Sequence, residues 1–147
     1  MGASLYTAKQ VMCVVGVMPL TDGLAEGTFV KVSPVGDVSR SIVGADGHVT
    51  IVLVNDPTWD VEITLMYGSK HNEYMSALFA LHTNDDAGAA IGPFLLKDNN
   101  GATLYAFQYL VPKKHAGTEM GSEGKERTWS FTGIGNTATA ISGGNAI

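Results

Sequence analysis

The side chains able to do chemistry in this chain are few, and their spacing keeps them apart. Its 4 histidines and single cysteine are scattered. His48 falls on a strand, His71 at a helix end, His82 in the last turn of that helix and His115 in a loop. None stands at the His-x-x-x-His spacing that turns two imidazoles onto one helical face for zinc. No metal or other cofactor is expected. His82 is expected to face the negative end of the helix dipole as a C-terminal cap. Cys13 lies in an apolar run, where a thiol packs as a small hydrophobe and is a poor nucleophile. Asp60 and Glu62 are two apart on a strand and share one side, whereas a glycosidase holds its carboxylates on separate elements across a cleft. They read as a solvated acidic face, and Asp85 and Asp86 as solvated loop charges. Lys113, Lys114 and His115 form the one basic cluster, expected in a loop that meets solvent or an acidic patch on a neighbouring subunit before it meets phosphate. Gly133, Gly135 and Ala138 complete a G-x-G-x-x-A pattern after a strand, but too few residues follow for the helix and parallel strand of a dinucleotide site. Asp98 and Asn100 imitate the opening of a calcium loop, yet Gly101 comes too early and Tyr109 stands where the bidentate Glu belongs. No catalytic constellation emerges, and the chain is not expected to be an enzyme.

The elements that must carry these residues are mostly strands. Trp59, Val61, Ile63 and Leu65 alternate with Asp60, Glu62, Thr64 and Met66, a period of two that lays one face on a core. Ser39 to Val43 and His48 to Val54 flank Gly44, Ala45, Asp46 and Gly47, where the Asp-Gly pair supplies the positive φ of a tight hairpin turn. Thr28 to Ser33 is a further strand, stopped by Pro34, which cannot donate to a central ladder. Pro93 to Lys97 and Ala102 to Val111 form a second hairpin around Asp98 to Gly101. In its long arm Tyr105, Phe107, Tyr109 and Val111 share one face and Leu104, Ala106, Gln108 and Leu110 the other, so neither face is simply polar and both are expected to meet protein. One helix is expected, with Tyr74, Leu78 and Leu81 on a stripe beside Met75 and Phe79, Ser69 or Asn72 as cap and Asn84 as stop. A polar loop runs from Lys113 to Glu126, and Arg127 to Gly133 is the last strand. The segment after Ile134 has too little apolar surface to pack unaided, so its order would need a partner.

Composition agrees with that picture. The chain has 147 residues, 45% hydrophobic and 16% charged, which suits one domain with a real core. Nine basic against 14 acidic residues give a net charge of −5, which disfavours duplex binding. The 18 glycines exceed the usual share of roughly 7% and point to tight turns. The apolar run Val11 to Met18 is broken by Gly16 and stopped by Pro19, short of the roughly 20 residues of a membrane span. It reads as a mature strand, since Lys9 alone and the lack of a small-x-small site make a poor signal peptide.

The order and spacing of these pieces carry more than any one of them. The Val43 to Gly47 turn, the strand ending Ile63, Thr64, Leu65 and Met66, the helix around Ser76, Ala77 and Leu78, the Pro93 to Phe107 hairpin and the Arg127 to Phe131 strand together resemble the tail tube proteins of contractile-tailed phages. The resemblance spans roughly Val11 to Gly133. It implies a mainly-β fold, a small barrel or sandwich of antiparallel strands with one short helix, as a single domain with extended residues 1–9 and a polar segment 135–147. It further implies a structural virion protein, assembled in the host cytoplasm into stacked hexameric rings that form the inner tail tube. Its partners would be copies of itself, the sheath protein, the baseplate or tube initiator and the tail terminator. Genomic DNA would pass through the lumen without specific binding, and no membrane would be involved. In that frame Asp60 and Glu62 are the candidate lumen residues, because an acidic wall lets phosphates slide. The candidate inter-subunit or inter-ring loops are Gly44, Ala45, Asp46 and Gly47, and Lys113, Lys114, His115, Glu119, Glu123 and Lys125. Two other readings stay open: a monomeric β-barrel that carries a small ligand, or another tail component such as a baseplate or initiator subunit.

Overall fold

The computed structural model describes residues 11–21, 24, 28–54, 56–84, 87–98, 103–118, 125–135 and 140–142. They form strands β1 (Val11–Val15), β2 (Met18–Pro19), β3 (Val30–Pro34), β4 (Ser39–Val43), β5 (Val49–Leu53) and β6 (Thr58–Leu65), then helix α1 (His71–Asn84). Strands β7 (Gly92–Asp98), β8 (Leu104–Lys114), β9 (Arg127–Ile134) and β10 (Ala140–Ile141) follow. The fold is mainly β and antiparallel with one short helix, as the alternation of apolar residues indicates. One eight-stranded sheet runs β2-β1-β7-β8-β9-β6-β3, with β10 added to β8, and β4 pairs with β5 apart from it. Among the described residues the sheet does not close: β2 and β3 remain its two ends.

The core lies between one face of this sheet and α1. Val61, Ile63 and Leu65 of β6, Trp129 and Phe131 of β9, Phe94 of β7 and Phe107 of β8 are buried there with Met75 and Phe79 of the helix. The rings interlock, with the Phe79 centroid 5.1 Å from that of Trp129 and 5.2 Å from that of Phe131. Such offset and edge-on pairs add to the area term of aromatic burial. Cys13 is buried in β1, where desolvation pushes its thiol up to about 12 and leaves it inert at neutral pH.

The helix turns differently from the stripe expected of it. His71, Asn72, Met75 and Phe79 are its buried residues, and Leu81 is exposed. A polar node sets this rotation. The indole Nε1 of Trp129 donates to Oδ1 of Asn72 at 3.0 Å, while Nδ2 of Asn72 donates to the carbonyls of Met66 (3.0 Å) and Ser69 (3.2 Å). Ser69 caps the helix by accepting from the backbone N–H of His71. His71 in turn accepts at Nε2 from the backbone N–H of Thr21. At the other end the cap role expected of His82 falls to its neighbours. Thr83 Oγ1 and Asn84 Nδ2 donate to the carbonyls of Phe79 and Ala80, and His82 Nδ1 has no hydrogen-bond partner.

The strands also differ from expectation, and the larger differences have backbone reasons. The Val11 to Met18 run divides into β1 and β2 because Gly16 takes φ +64° and its N–H donates to the Pro93 carbonyl. Strand β8 continues through Pro112 to Lys114, so Lys113 and Lys114 lie on a strand and not in a loop. The bulge between Pro112 and Lys114 makes this extension compatible with a residue that has no N–H to donate. A second bulge, in β8 opposite Gly92 and Phe94, moves the core face from Phe107 to Leu110, and Tyr109 turns outward. The segment after Ile134 also finds a partner within the chain, since Ala140 and Ile141 pair with Tyr105 and Leu104. The turn expected at residues 99–101, the pair Asp85 and Asp86, and residues 1–9 lie outside the described residues.

Candidate functional site

Strands β4 and β5 form an arm that grows from the end of the β3–β6 pair. Because β3 bonds to β6 and β4 to β5, the two hairpins are nested. Pro34 ends β3, and Gly36 sits where an added Cβ would lie 2.6 Å from Oδ2 of Asp56, so the chains approach closely at the base. Thr58 donates to Asp56 from its hydroxyl and from its backbone N–H, and these bonds hold the Asp56 carboxyl below its usual pKa. At the tip Gly44 donates to the His48 carbonyl, Gly47 donates to that of Gly44, and Gly47 takes φ +83°. This is a turn closed by a glycine in the left-handed region, as the Asp-Gly pair indicates. Asp46 adds a local brace by accepting from the His48 N–H at 3.0 Å.

Among the described residues almost nothing covers this arm. Register places Ser39 opposite Leu53, Ser41 opposite Ile51 and Val43 opposite Val49, so these six residues share one face without a charge. Val43, Val49, Ile51 and Leu53 are 67%, 52%, 69% and 72% exposed. The other face carries Arg40, Ile42, Thr50 and Val52. A lone two-stranded hairpin is marginal in water, and apolar surface of this kind in a soluble chain marks a contact.

The second feature is the outer face of β3, β6 and β9, where the acidic pair stands. Asp60 and Glu62 do point away from the core, opposite Val61 and Ile63. The face around them is not acidic, however. Lys31 of β3 stands in register with Glu62, Lys114 of β8 with Ser130 of β9, and Lys113 Nζ lies 3.1 Å from Oδ1 of Asp60. With Thr64, Thr128, Ser130 and Thr132 between them, the charges form a mixed polar surface. The Lys113–Asp60 pair is half exposed on both sides and contributes at most about 1 kcal/mol.

Around Glu62 this surface deepens into a groove of about 670 Å³ lined by Lys114, His115, Lys125, Glu126, Thr128 and Ser130 among others. Two cations face two carboxylates there, so no net field selects an ion. His115 is not loose: its ring stands 4.5 Å from that of Trp129, and Nδ1 lies 2.7 Å from the Ala116 carbonyl oxygen. A smaller groove of about 380 Å³ between the helix end and β8 includes His82, Lys113 and His115. Among the described residues no three His, Cys, Asp or Glu side chains converge as metal ligands. No helix among them is long and apolar enough to cross a membrane.

Of the residues singled out from the sequence, Gly44, Ala45, Asp46 and Gly47 lie together at the arm tip. Asp60, Glu62, Lys113, Lys114, His115 and Lys125 meet on or beside the mixed face, while Glu119 and Glu123 lie outside the described residues. The apolar flanks of the arm are what sequence reasoning missed. The signal was available in Val43, Val49, Ile51 and Leu53, apolar residues that alternate along a hairpin and meet on one of its faces. Comparison of the chain with family models and with curated protein sequences finds no match.

Proposed function

We propose that this protein is a structural subunit that assembles with copies of itself, and that the assembly is the hexameric, stacked tail tube implied by its resemblance to contractile-tailed phage proteins. The observation that carries the reading is the β4–β5 arm, whose apolar face stays exposed in the single chain. A ligand carrier would need an open interior, and the space between helix and sheet is occupied by Trp129, Phe94, Phe107 and Phe131. The sheath, the initiator and terminator at the tube ends and the DNA within it belong to the same proposal, as does a non-enzymatic role.

The arm makes the reading testable. Ile51→Glu with Leu53→Glu changes only exposed positions, so unfolding stability should shift by less than about 0.5 kcal/mol per site. Sedimentation and negative-stain microscopy should show rings or tubes for the natural chain and monomers for the variant. A natural chain that stays monomeric at every concentration, with or without tail initiator, ends the tube reading.

The mixed face bears on DNA passage. Counting Lys31, Lys113 and Lys114 against Asp60 and Glu62 gives 3 − 2 = +1, close to neutral. Replacing both acids with Lys would raise the same patch to +5 and remove the partner of Lys113. If this face lines the lumen, tails should assemble normally but DNA release should slow, most at low salt, where phosphate contacts are strongest. Unchanged release at all salt concentrations moves the lumen to another face.

A further inference from the structure

The outer surface of the large sheet has two halves, and only one is polar. Across β1, β7, β8 and β10, register aligns Met12, Lys97, Leu104 and Ile141 in one outward row. Val14, Leu95 and Ala106 form the next row. Their neighbours Cys13, Phe94 and Phe107 point to the core, so these two rows face away from it. Lys97 is the one charge in the band, and Met12 and Ile141 are 36% and 45% exposed. This is an apolar sheet face without a partner among the described residues.

We propose that this band receives the β4–β5 arm of a second copy of the chain, arm face onto sheet face. The inference rests on the self-assembly reading above and names the surface that completes it. Sheets packed face to face need small and apolar side chains about 10 Å apart. The uncharged arm face of Ser39, Ser41, Val43, Val49, Ile51 and Leu53 supplies them. Sizes match: five residues of strand span about 17 Å, and four neighbouring strands are about 14 Å across. The polar half of the sheet, with Asp60, Glu62 and their lysines, would have to desolvate all of these charges under an arm face that offers them no partner.

Position decides that the occupant is another copy. The arm springs from β3 and β6 at one end of the strand order, and the band lies on β1, β7, β8 and β10 toward the other. No described element of the same chain covers the arm, and Val43, Val49, Ile51 and Leu53 stay exposed. Two different patches on one subunit give a head-to-tail contact, which closes into a ring or continues as a filament. An arm-to-arm contact would instead stop at a dimer.

Complementation separates these cases. One full-length variant carries Ile51→Glu and Leu53→Glu in the arm, the other Met12→Glu and Leu104→Glu in the band. Each alone should be monomeric, and mixing them should give 1:1 dimers and nothing larger, because one intact arm meets one intact band. If the natural chain assembles but the mixture stays monomeric, the band is not the receptor, although the assembly reading stands. A natural chain that never assembles overturns both. Disulfide trapping guards against a misfolded band variant, since Cys13 is buried and does not compete. A chain with Ile51→Cys should cross-link to one with Met12→Cys or Ile141→Cys but not to one with Thr132→Cys on the polar half. Equal cross-linking to Thr132→Cys overturns the proposal.

Discussion

Asn72→Ala should lower the unfolding free energy by about 2–4 kcal/mol, far beyond what one exposed helix residue would cost. The side chain it removes is buried and joins three otherwise separate partners: the Trp129 indole N–H and the carbonyls of Met66 and Ser69. The indole N–H would be stranded with a desolvation penalty of about 1–3 kcal/mol, while the Met66 and Ser69 carbonyls lose one hydrogen bond each and keep the backbone N–H of Ser69 and Asn72, the whole softened where water enters the new cavity. Urea denaturation measures the loss. Trp129→Phe in the Asn72→Ala background should then cost less than in the natural chain, because the orphaned N–H goes with it. Additive losses would show that the two residues do not depend on each other, and the node would be an incidental contact.

The second large effect is expected at Gly133, which sits in β9 beneath the Phe107 ring. A Cβ there would lie 2.6 Å from Cδ2 and 3.0 Å from Cε2 of that ring. Phe107 is buried and held by Phe94 and Trp59, with centroids 5.8 and 5.7 Å away, so it has no room to yield. Ordinarily Gly→Ala at a compatible backbone angle stabilises by about 0.4–1 kcal/mol through the unfolded chain. Here overpacking should reverse the sign and cost about 1–3 kcal/mol in a urea melt. Phe107→Leu should recover part of that loss. A neutral or stabilising Gly133→Ala sinks the steric account. The same glycine opens the G-x-G-x-x-A pattern in the sequence, and its place under an aromatic ring explains it without a nucleotide.

Strands β6 and β9 were legible because each has one buried and one solvated face, and a period of two survives along their whole length. Strand β8 was not, because two bulges reset its phase. Alternation counted from Tyr105 keeps Phe107, Tyr109 and Val111 on one face, whereas the structure buries Phe107, Leu110 and Pro112 together. The helix was found but its rotation was not, since the residue that fixes it is a polar one whose acceptor role depends on Trp129, 57 positions away. Asp60 and Glu62 show a further limit. Their orientation follows from local alternation, but the lysines that neutralise them arrive from β3 and β8 through tertiary register. Reading Lys113 and Lys114 as loop residues followed from the polar stretch that they open, whereas the bulge at Pro112 carries the strand two residues into it.

The nested hairpins also determine how the subunit bears load. A pull on the arm passes into β3 and β6, and β6 is paired to β9 over eight residues and to β3 over five. Ladder hydrogen bonds lie perpendicular to the strands, so tension along them strains many bonds side by side instead of unzipping them in turn. The base of the arm is the weaker link. Among the described residues, backbone bonds cross it from Val35 N–H to the Thr58 carbonyl and from Val54 N–H to that of Val38. Under tension the arm therefore acts as a mechanical fuse, giving way at its root while the sheet that holds the core keeps its shape.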